Sequence, residues 1–226
     1  IGATSGLKAN KVTNATADNL ILKASADGNA TFIYNSGTPS ATVEMYSKAT
    51  GGEKDKIPQW QYMGVAVNNA TTSNFPNAWL LKWTEAENVT GDPWSDAPLA
   101  AGTTLAPWTG YSISQPQATT YTTKGTLMSG DHTYTLTRTE STDPDCGFNL
   151  LANSYTAPID ITKLTTSDFV NADACIILYN TGTYADWESQ TGKSGVAPGQ
   201  LTVIPVESAR AIDGDGLPTT IASMQA

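Results

Sequence analysis

The sequence predicts an all-β protein, a β-sandwich that is jelly-roll-like or made of two packed sheets. Helical periodicity is nearly absent, whereas short runs that alternate apolar and polar residues recur along the chain. Turn-forming residues separate these runs, as in Asp27-Gly28-Asn29. Nineteen Gly and twelve Pro in 226 residues are typical of many short strands joined by tight turns.

Strands are predicted at the runs that begin at Leu20, Thr31, Ala41, Trp60, Trp79, Tyr111, Tyr121, Tyr134, Phe148, Ala174 and Leu201. Trp60, Trp79 and Trp83 lie in apolar runs and are expected in the core, since one buried aromatic side chain covers about 150–250 Å². The one helical candidate is 161–169, with Asp160 as its N-cap.

Comparison of the chain with itself indicates an internal duplication of about 90 residues. Four blocks recur in the same order, at offsets between 88 and 96. Residues 41–46 match 132–137, 60–64 match 148–152, 79–83 match 175–179, and 105–113 match 196–204. One copy has an apolar face that it cannot cover alone, so two copies are expected to pack face to face, or to share a sheet, around a pseudo-two-fold axis. We therefore expect one all-β domain over residues 1–226, with pseudo-repeats at roughly 20–114 and 115–206; two small tandem β-domains are the alternative.

Charge and hydropathy exclude two classes of partner. The net charge is −9 and the twelve basic residues form no cluster, so the chain lacks the basic surface that nucleic acids require. No apolar run reaches about 18 residues, so no membrane insertion is predicted. The chain starts at Ile1 without a methionine, which favours a processed protein or a fragment whose neighbouring domains belong to a longer chain.

The side-chain inventory predicts no enzyme and no cofactor. Catalysis requires a positioned base, nucleophile or metal, and the single histidine, His132, lies in a strand-like run. Carboxylates near the tryptophans, such as Glu85 and Glu188, leave a glycoside hydrolase-like enzyme as a distant third hypothesis. Asp213 and Asp215 are a weak candidate for a calcium turn, because the bidentate Glu of a complete loop is missing.

The two cysteines, Cys146 and Cys175, are too few for a disulfide framework or a metal cage. Each opens a predicted strand, so a disulfide between them is feasible if those strands are neighbours. The alternative is that both are small buried hydrophobic residues.

Tryptophans in predicted loops are the candidates for a binding surface. Trp94, Trp108 and Trp187 lie near Pro, Gly or Asp, where exposed aromatic side chains stack on sugars or anchor protein partners. The alternative is that Trp94 and Trp187, which are equivalent in the two copies, close the ends of the sandwich. The polar neighbours expected to orient a ligand are Asp92, Asp96, Asn180 and Asp186.

Residues 147–160 carry the most specific motif of the chain, GFNLLANSYTAPID. This motif resembles that of a β-rich module of large exported, adhesin-like surface proteins of Bacteroidetes-type bacteria. The run at 60–67 and the segment 107–111 resemble the corresponding parts of the module's first copy, with departures at Trp108 and Thr109. The resemblance spans roughly residues 20–206 and implies an exported, modular, all-β protein.

Together these observations predict a non-catalytic module, secreted or on the bacterial cell surface, with a structural or adhesive role in a larger exported protein. Its expected partner is a glycan or another surface protein. A carbohydrate-binding module is the alternative function.

Overall fold

A computed structural model describes most of the chain and divides it into two compact units. The described residues are 1–13, 15–50, 59–86, 93–95, 97–140, 147–182 and 201–206. Unit 1 comprises Ile1–Ala157 and unit 2 comprises Pro158–Ala226. Every regular element in these ranges is a β-strand or a short 3₁₀ helix, which confirms the all-β class. The predicted duplication and sandwich stay predictions.

Unit 1 holds ten of the strands in the described ranges. They are β1 Gly6–Ala9, β2 Ile21–Leu22, β3 Ala24–Ser25, β4 Gly28–Asn29, β5 Thr31–Tyr34, β6 Ser40–Ser47, β7 Gln61–Met63, β8 Trp79–Lys82, β9 Tyr111–Ser114 and β10 Thr119–Thr126. A 3₁₀ helix, Thr72–Asn74, lies between β7 and β8. β1 pairs with β5 in parallel, and β3 pairs with β4 as a hairpin.

Two three-stranded sheets supply the core of unit 1. In the first sheet β6 lies between β10, which is antiparallel to it, and β2, which is parallel. In the second sheet β9 lies between β7 and β8 and is antiparallel to both. Leu80 and Ile113 are partners in the β8–β9 register and are 2% and 0% exposed. Because alternate side chains of a strand share a face, each sheet presents one apolar face to a core cluster that contains residues of both.

Unit 2 contains an antiparallel pair, β11 Cys175–Tyr179 and β12 Leu201–Pro205. Two 3₁₀ helices, Ile161–Lys163 and Thr166–Asp168, replace the single helix predicted over 161–169. The carboxylate of Asp160 accepts a hydrogen bond from the Thr162 N–H, as the predicted N-cap should. Thr165 then starts a second turn, because Ser, Thr and Asp side chains compete for the backbone hydrogen bonds that would continue a helix. Across the described ranges, no helix is both long enough and apolar enough to cross a bilayer.

The predicted strands at Tyr134 and Phe148 are not regular strands. Instead, the side chain of Asn149 takes the place of a strand partner: its Oδ1 accepts from the Thr137 N–H at 3.2 Å, and its Nδ2 donates to the Thr137 carbonyl at 2.9 Å. One isolated β-bridge joins Leu151 to Thr109, just before β9. A side-chain amide therefore satisfies backbone groups that a ladder would have paired.

Trp79 is 42% exposed, so its assignment to the core is wrong. It precedes Leu80 on β8 and therefore points to the opposite face of the sheet from the core. Trp60 and Trp83 are half-buried. Cys175 is half-buried at the start of β11, whereas Cys146 lies outside the described residues, so the disulfide stays a prediction.

Candidate functional site

Three of the seven predicted ligand-binding residues, Trp94, Trp108 and Asn180, lie in the described ranges. Asn180 belongs to unit 2, where its side-chain oxygen accepts from the Gly182 N–H at 3.1 Å. Trp94 and Trp108 belong to unit 1 but to different groups of aromatic rings. Outside the described residues lie Asp92, Asp96, Asp186, Trp187, and the calcium candidates Asp213 and Asp215.

The first aromatic group surrounds Trp94. Its ring centroid lies 5.1 Å from that of Trp83 in an edge-to-face arrangement and 5.7 Å from that of Tyr62. Trp83 and Trp94 form an isolated antiparallel bridge, and the Trp83 indole N–H donates to the Phe148 carbonyl at 2.7 Å. All three rings of this group are half-buried. Trp94 thus packs against other aromatic side chains, and its edge-to-face arrangement with Trp83 is a favourable geometry for an aromatic pair.

The second aromatic group, the Trp108 cluster, consists of Trp108, His132, Tyr134 and Tyr155. The imidazole of His132 stacks on the indole of Trp108 with centroids 4.3 Å apart and planes 10° from parallel. Tyr155 meets the indole edge-on at 4.7 Å, and Tyr134 meets the imidazole edge-on at 4.7 Å. His132 is exposed, whereas the other three rings are half-buried.

Trp108 adopts a backbone conformation that a bulky residue rarely takes. Its φ is +67°, in the left-handed region. Two hydrogen bonds hold it there: the Trp108 N–H donates to the Oγ of the fully buried Ser154 at 2.7 Å, and the Ala152 N–H donates to the Trp108 carbonyl at 3.2 Å. Such strain costs about 1–3 kcal/mol and persists only where the surroundings fix it. The surroundings therefore set the direction of the indole.

The tyrosines of the Trp108 cluster are neutral hydrogen-bond donors. Burial raises the pKa of Tyr134, with a further contribution from Tyr155, and burial together with the Asp131 charge raises the pKa of Tyr155. Their hydroxyls donate to backbone carbonyls, Tyr134 to Ala152 at 2.6 Å and Tyr155 to Gly130 at 2.5 Å. Both hydroxyls thus tie the cluster to the backbone.

Sequence reasoning did not group these four residues. From the sequence, His132 is expected to be a solvated or cross-strand residue rather than a catalytic one, and Tyr155 is part of the motif at 147–160. Gly130, whose φ is +79°, lies in a turn two residues before His132, and such a turn signal does not indicate which distant residues it brings together.

Glu85 is a candidate glycosidase carboxylate in the sequence. In the structure it is buried and hydrogen-bonded to neighbouring chain segments. It is 5% exposed, and its carboxylate accepts hydrogen bonds from the Thr139 N–H (2.7 Å), the Thr139 hydroxyl (3.1 Å) and the Gly147 N–H (2.9 Å). These donors, the Thr139 N–H first, hold the pKa of Glu85 below its ordinary value of 4.5, although burial acts in the opposite direction. The carboxylate thus fastens two chain segments. The described part of the chain contains no group of three or more His, Cys, Asp or Glu placed to hold a metal ion.

We expect Glu85→Gln to destabilise unit 1 at neutral pH, because one of the amide's two heteroatoms cannot accept these hydrogen bonds. Since the folded-state pKa is lowered, the stabilisation is present above pH 4.5 and is lost as the pH falls through the folded-state value. Urea unfolding at several pH values should show the difference from the unmodified protein shrinking in acid. Glu140→Gln, at an exposed position, is the control; a difference for Glu85→Gln that does not change with pH would contradict the prediction.

The described ranges thus form an all-β chain with two groups of packed aromatic side chains, and the second group includes the exposed His132. A comparison with curated proteins finds similarity to a minor fimbrium subunit, Mfa5, of Porphyromonas gingivalis, which is 35% identical over 209 residues. The match covers 87% of this chain and 15% of the relative, so the chain spans a small part of that protein's length. No family model matches the sequence, and no solved structure matches it. The similarity supports the resemblance to surface proteins of Bacteroidetes-type bacteria, whereas the motif at 147–160 stays a prediction.

Proposed function

We propose that the chain is a non-catalytic module of a larger exported bacterial protein, with a structural or adhesive role at the cell surface. The observation that carries this proposal is the 35% identity to a minor fimbrium subunit across 87% of the chain. The chain corresponds to only 15% of that relative. We therefore also propose that further domains flank this module in the full-length protein and that the full-length protein assembles with other surface proteins.

The exposed apolar side chains of unit 1 suit such a role. Trp79 and Phe148 are each 42% exposed. Trp79 shares its face of β8 with Leu81, and Phe148 receives the indole hydrogen bond of Trp83 through its carbonyl. Exposed aromatic side chains of this kind are enriched where proteins contact one another.

Equal strand registers support a duplication within the chain. The sequence comparison aligns Leu80 with Ile176 and Ile113 with Ile204. Leu80 is the register partner of Ile113 in the β8–β9 pair, and Ile176 is the register partner of Ile204 in the β11–β12 pair. Two antiparallel pairs with the same register at aligned positions favour two copies of one unit. Within unit 1, the core shared by two sheets supports the sandwich.

The proposal is tested in the bacterium that encodes the full-length protein. Antibodies raised against this chain should label intact cells, and external protease should remove the label. An in-frame deletion of these residues should leave export of the remaining protein intact and reduce fimbrial assembly or adherence. Label that requires permeabilised cells would refute the surface location, and unchanged assembly and adherence would refute the role.

A further inference from the structure

We propose that the Trp108 cluster, together with Asp131, is a binding site for a neutral glycan. This inference rests on the proposed surface role and names the adhesive site and its ligand class. The site differs from the surface predicted from sequence, which joined Trp108 to Trp94, Trp187 and their acidic neighbours.

Among the described residues, aromatic rings contact the exposed His132 imidazole on one face and at its edge only. The centroid distances His132–Trp108, His132–Tyr134 and Trp108–Tyr134 are 4.3, 4.7 and 6.4 Å, and they form a nearly right-angled triangle with its corner at His132. Trp108 therefore covers one face of the imidazole, and Tyr134 lies beside its edge. In the described part of the chain no aromatic ring covers the other face, and His132 is exposed. The result is a planar aromatic platform backed by an indole.

Hydrogen-bonding groups surround this platform. Among the described residues, neither the ring nitrogens of His132 nor the indole N–H of Trp108 makes a hydrogen bond, whereas both tyrosine hydroxyls are used by the backbone. The exposed Asp131 precedes His132 and adds two acceptor oxygens. A pyranose offers an apolar C–H face to an aromatic ring and hydroxyl groups around its rim, so its chemistry matches both parts of the site.

The platform is held in place before any ligand binds, although the backbone of Trp108 is strained. Hydrogen bonds from the Trp108 N–H to Ser154 and from the Ala152 N–H to the Trp108 carbonyl fix the indole, and the indole orients His132. Strained residues cluster at ligand sites, where a fixed geometry reduces the entropy lost on binding. A purely packing role would not require a tryptophan at φ +67°.

Charge selects a neutral ligand. The negative charge of Asp131 contributes to the raised pKa of Tyr155 in the cluster. The whole chain has a net charge of −9. Both disfavour anionic polysaccharides and nucleic acids through like-charge repulsion. The carboxylate instead accepts hydrogen bonds from sugar hydroxyls.

The test is binding of the folded chain to soluble neutral polysaccharides, namely dextran, mannan and xylan, with hyaluronan as the anionic comparison. Affinity electrophoresis and tryptophan fluorescence report binding. His132→Ala should weaken binding to the preferred neutral polysaccharide by about tenfold, which corresponds to about 1.4 kcal/mol. His132→Tyr, which restores a planar ring, should recover most of it, and Val170→Ala, which removes an exposed apolar side chain of unit 2, should leave binding unchanged.

Three results would overturn the site: no binding to any of the neutral polysaccharides, equal binding by His132→Ala, or tighter binding to hyaluronan. Binding to a surface protein that survives His132→Ala would also place adhesion elsewhere. Surface labelling and fimbrial assembly are measured in cells, separately from polysaccharide binding. A chain that fails to bind glycans but is still found at the cell surface would therefore refute the glycan site and not the surface role.

Discussion

Replacement of Ile113 by alanine should lower the free energy of unfolding of unit 1 by about 3 kcal/mol, since removal of a buried Ile side chain costs about 2–5 kcal/mol. Ile113 is 0% exposed on the central strand β9. It is paired with Leu80 on one side and with Gln61 on the other. Truncation of Ile113 leaves a cavity beside β9. Because β7 and β8 are fixed by their backbone hydrogen bonds to β9, they cannot readily move to fill it.

Ile33→Ala is the matched control for this substitution. Ile33 also lies in a strand, β5, and loses the same atoms, but it is 42% exposed. We expect less than about 1 kcal/mol for the control, because little apolar surface leaves the interior. Urea unfolding monitored by tryptophan fluorescence measures both. Equal losses at the two positions would show that Ile113 does not lie in the principal core.

Sequence patterns located the strands of the two main sheets well. β6 and β10 were predicted from alternation, and in the structure Tyr121, Thr123 and Gly125 pair in register with Met45, Val43 and Ala41. Alternation of this kind depends on residues two apart, so a local pattern contains the information.

The same patterns failed where the answer depends on distant partners. The runs at Tyr134 and Phe148 have strand-like composition, yet Asn149 pairs with Thr137 through its side chain. Similarly, Trp79 lies in an apolar run, and no local signal says that only one face of β8 meets the core. Composition sets the propensity of a segment for strand, whereas tertiary contacts decide whether a ladder forms and which face is covered.

The candidate site was predictable only in part. Trp108 was identified from its loop position, but its partners His132 and Tyr155 lie 24 and 47 positions further along the chain. Glu85 likewise binds Thr139 and Gly147, which are 54 and 62 positions away. Contacts at such separations leave no periodic trace in a single sequence.

A large steric effect is expected at Gly64, which follows β7. A Cβ atom built on Gly64 would overlap the Cβ of Ala152, and the backbone of Ala152 is itself fixed by its hydrogen bond to the Trp108 carbonyl. Gly64→Ala should therefore lower the free energy of unfolding by about 1–3 kcal/mol, the usual cost of overpacking. Gly6→Ala is the control, because its added methyl group would meet nothing closer than 3.8 Å.

A double-mutant cycle isolates the cause of this loss. Ala152→Gly removes the methyl group that Gly64→Ala would strike, so the double variant should be more stable than the sum of the two single effects predicts. The coupling energy expected for residues in direct contact is about 0.5–3 kcal/mol. Urea unfolding of the four proteins measures it, and the tryptophan fluorescence of the Trp108 cluster should shift in Gly64→Ala and return in the double variant. Strict additivity would mean that Ala152 does not lie against Gly64, and the docking of this segment beside β9 would then be wrong.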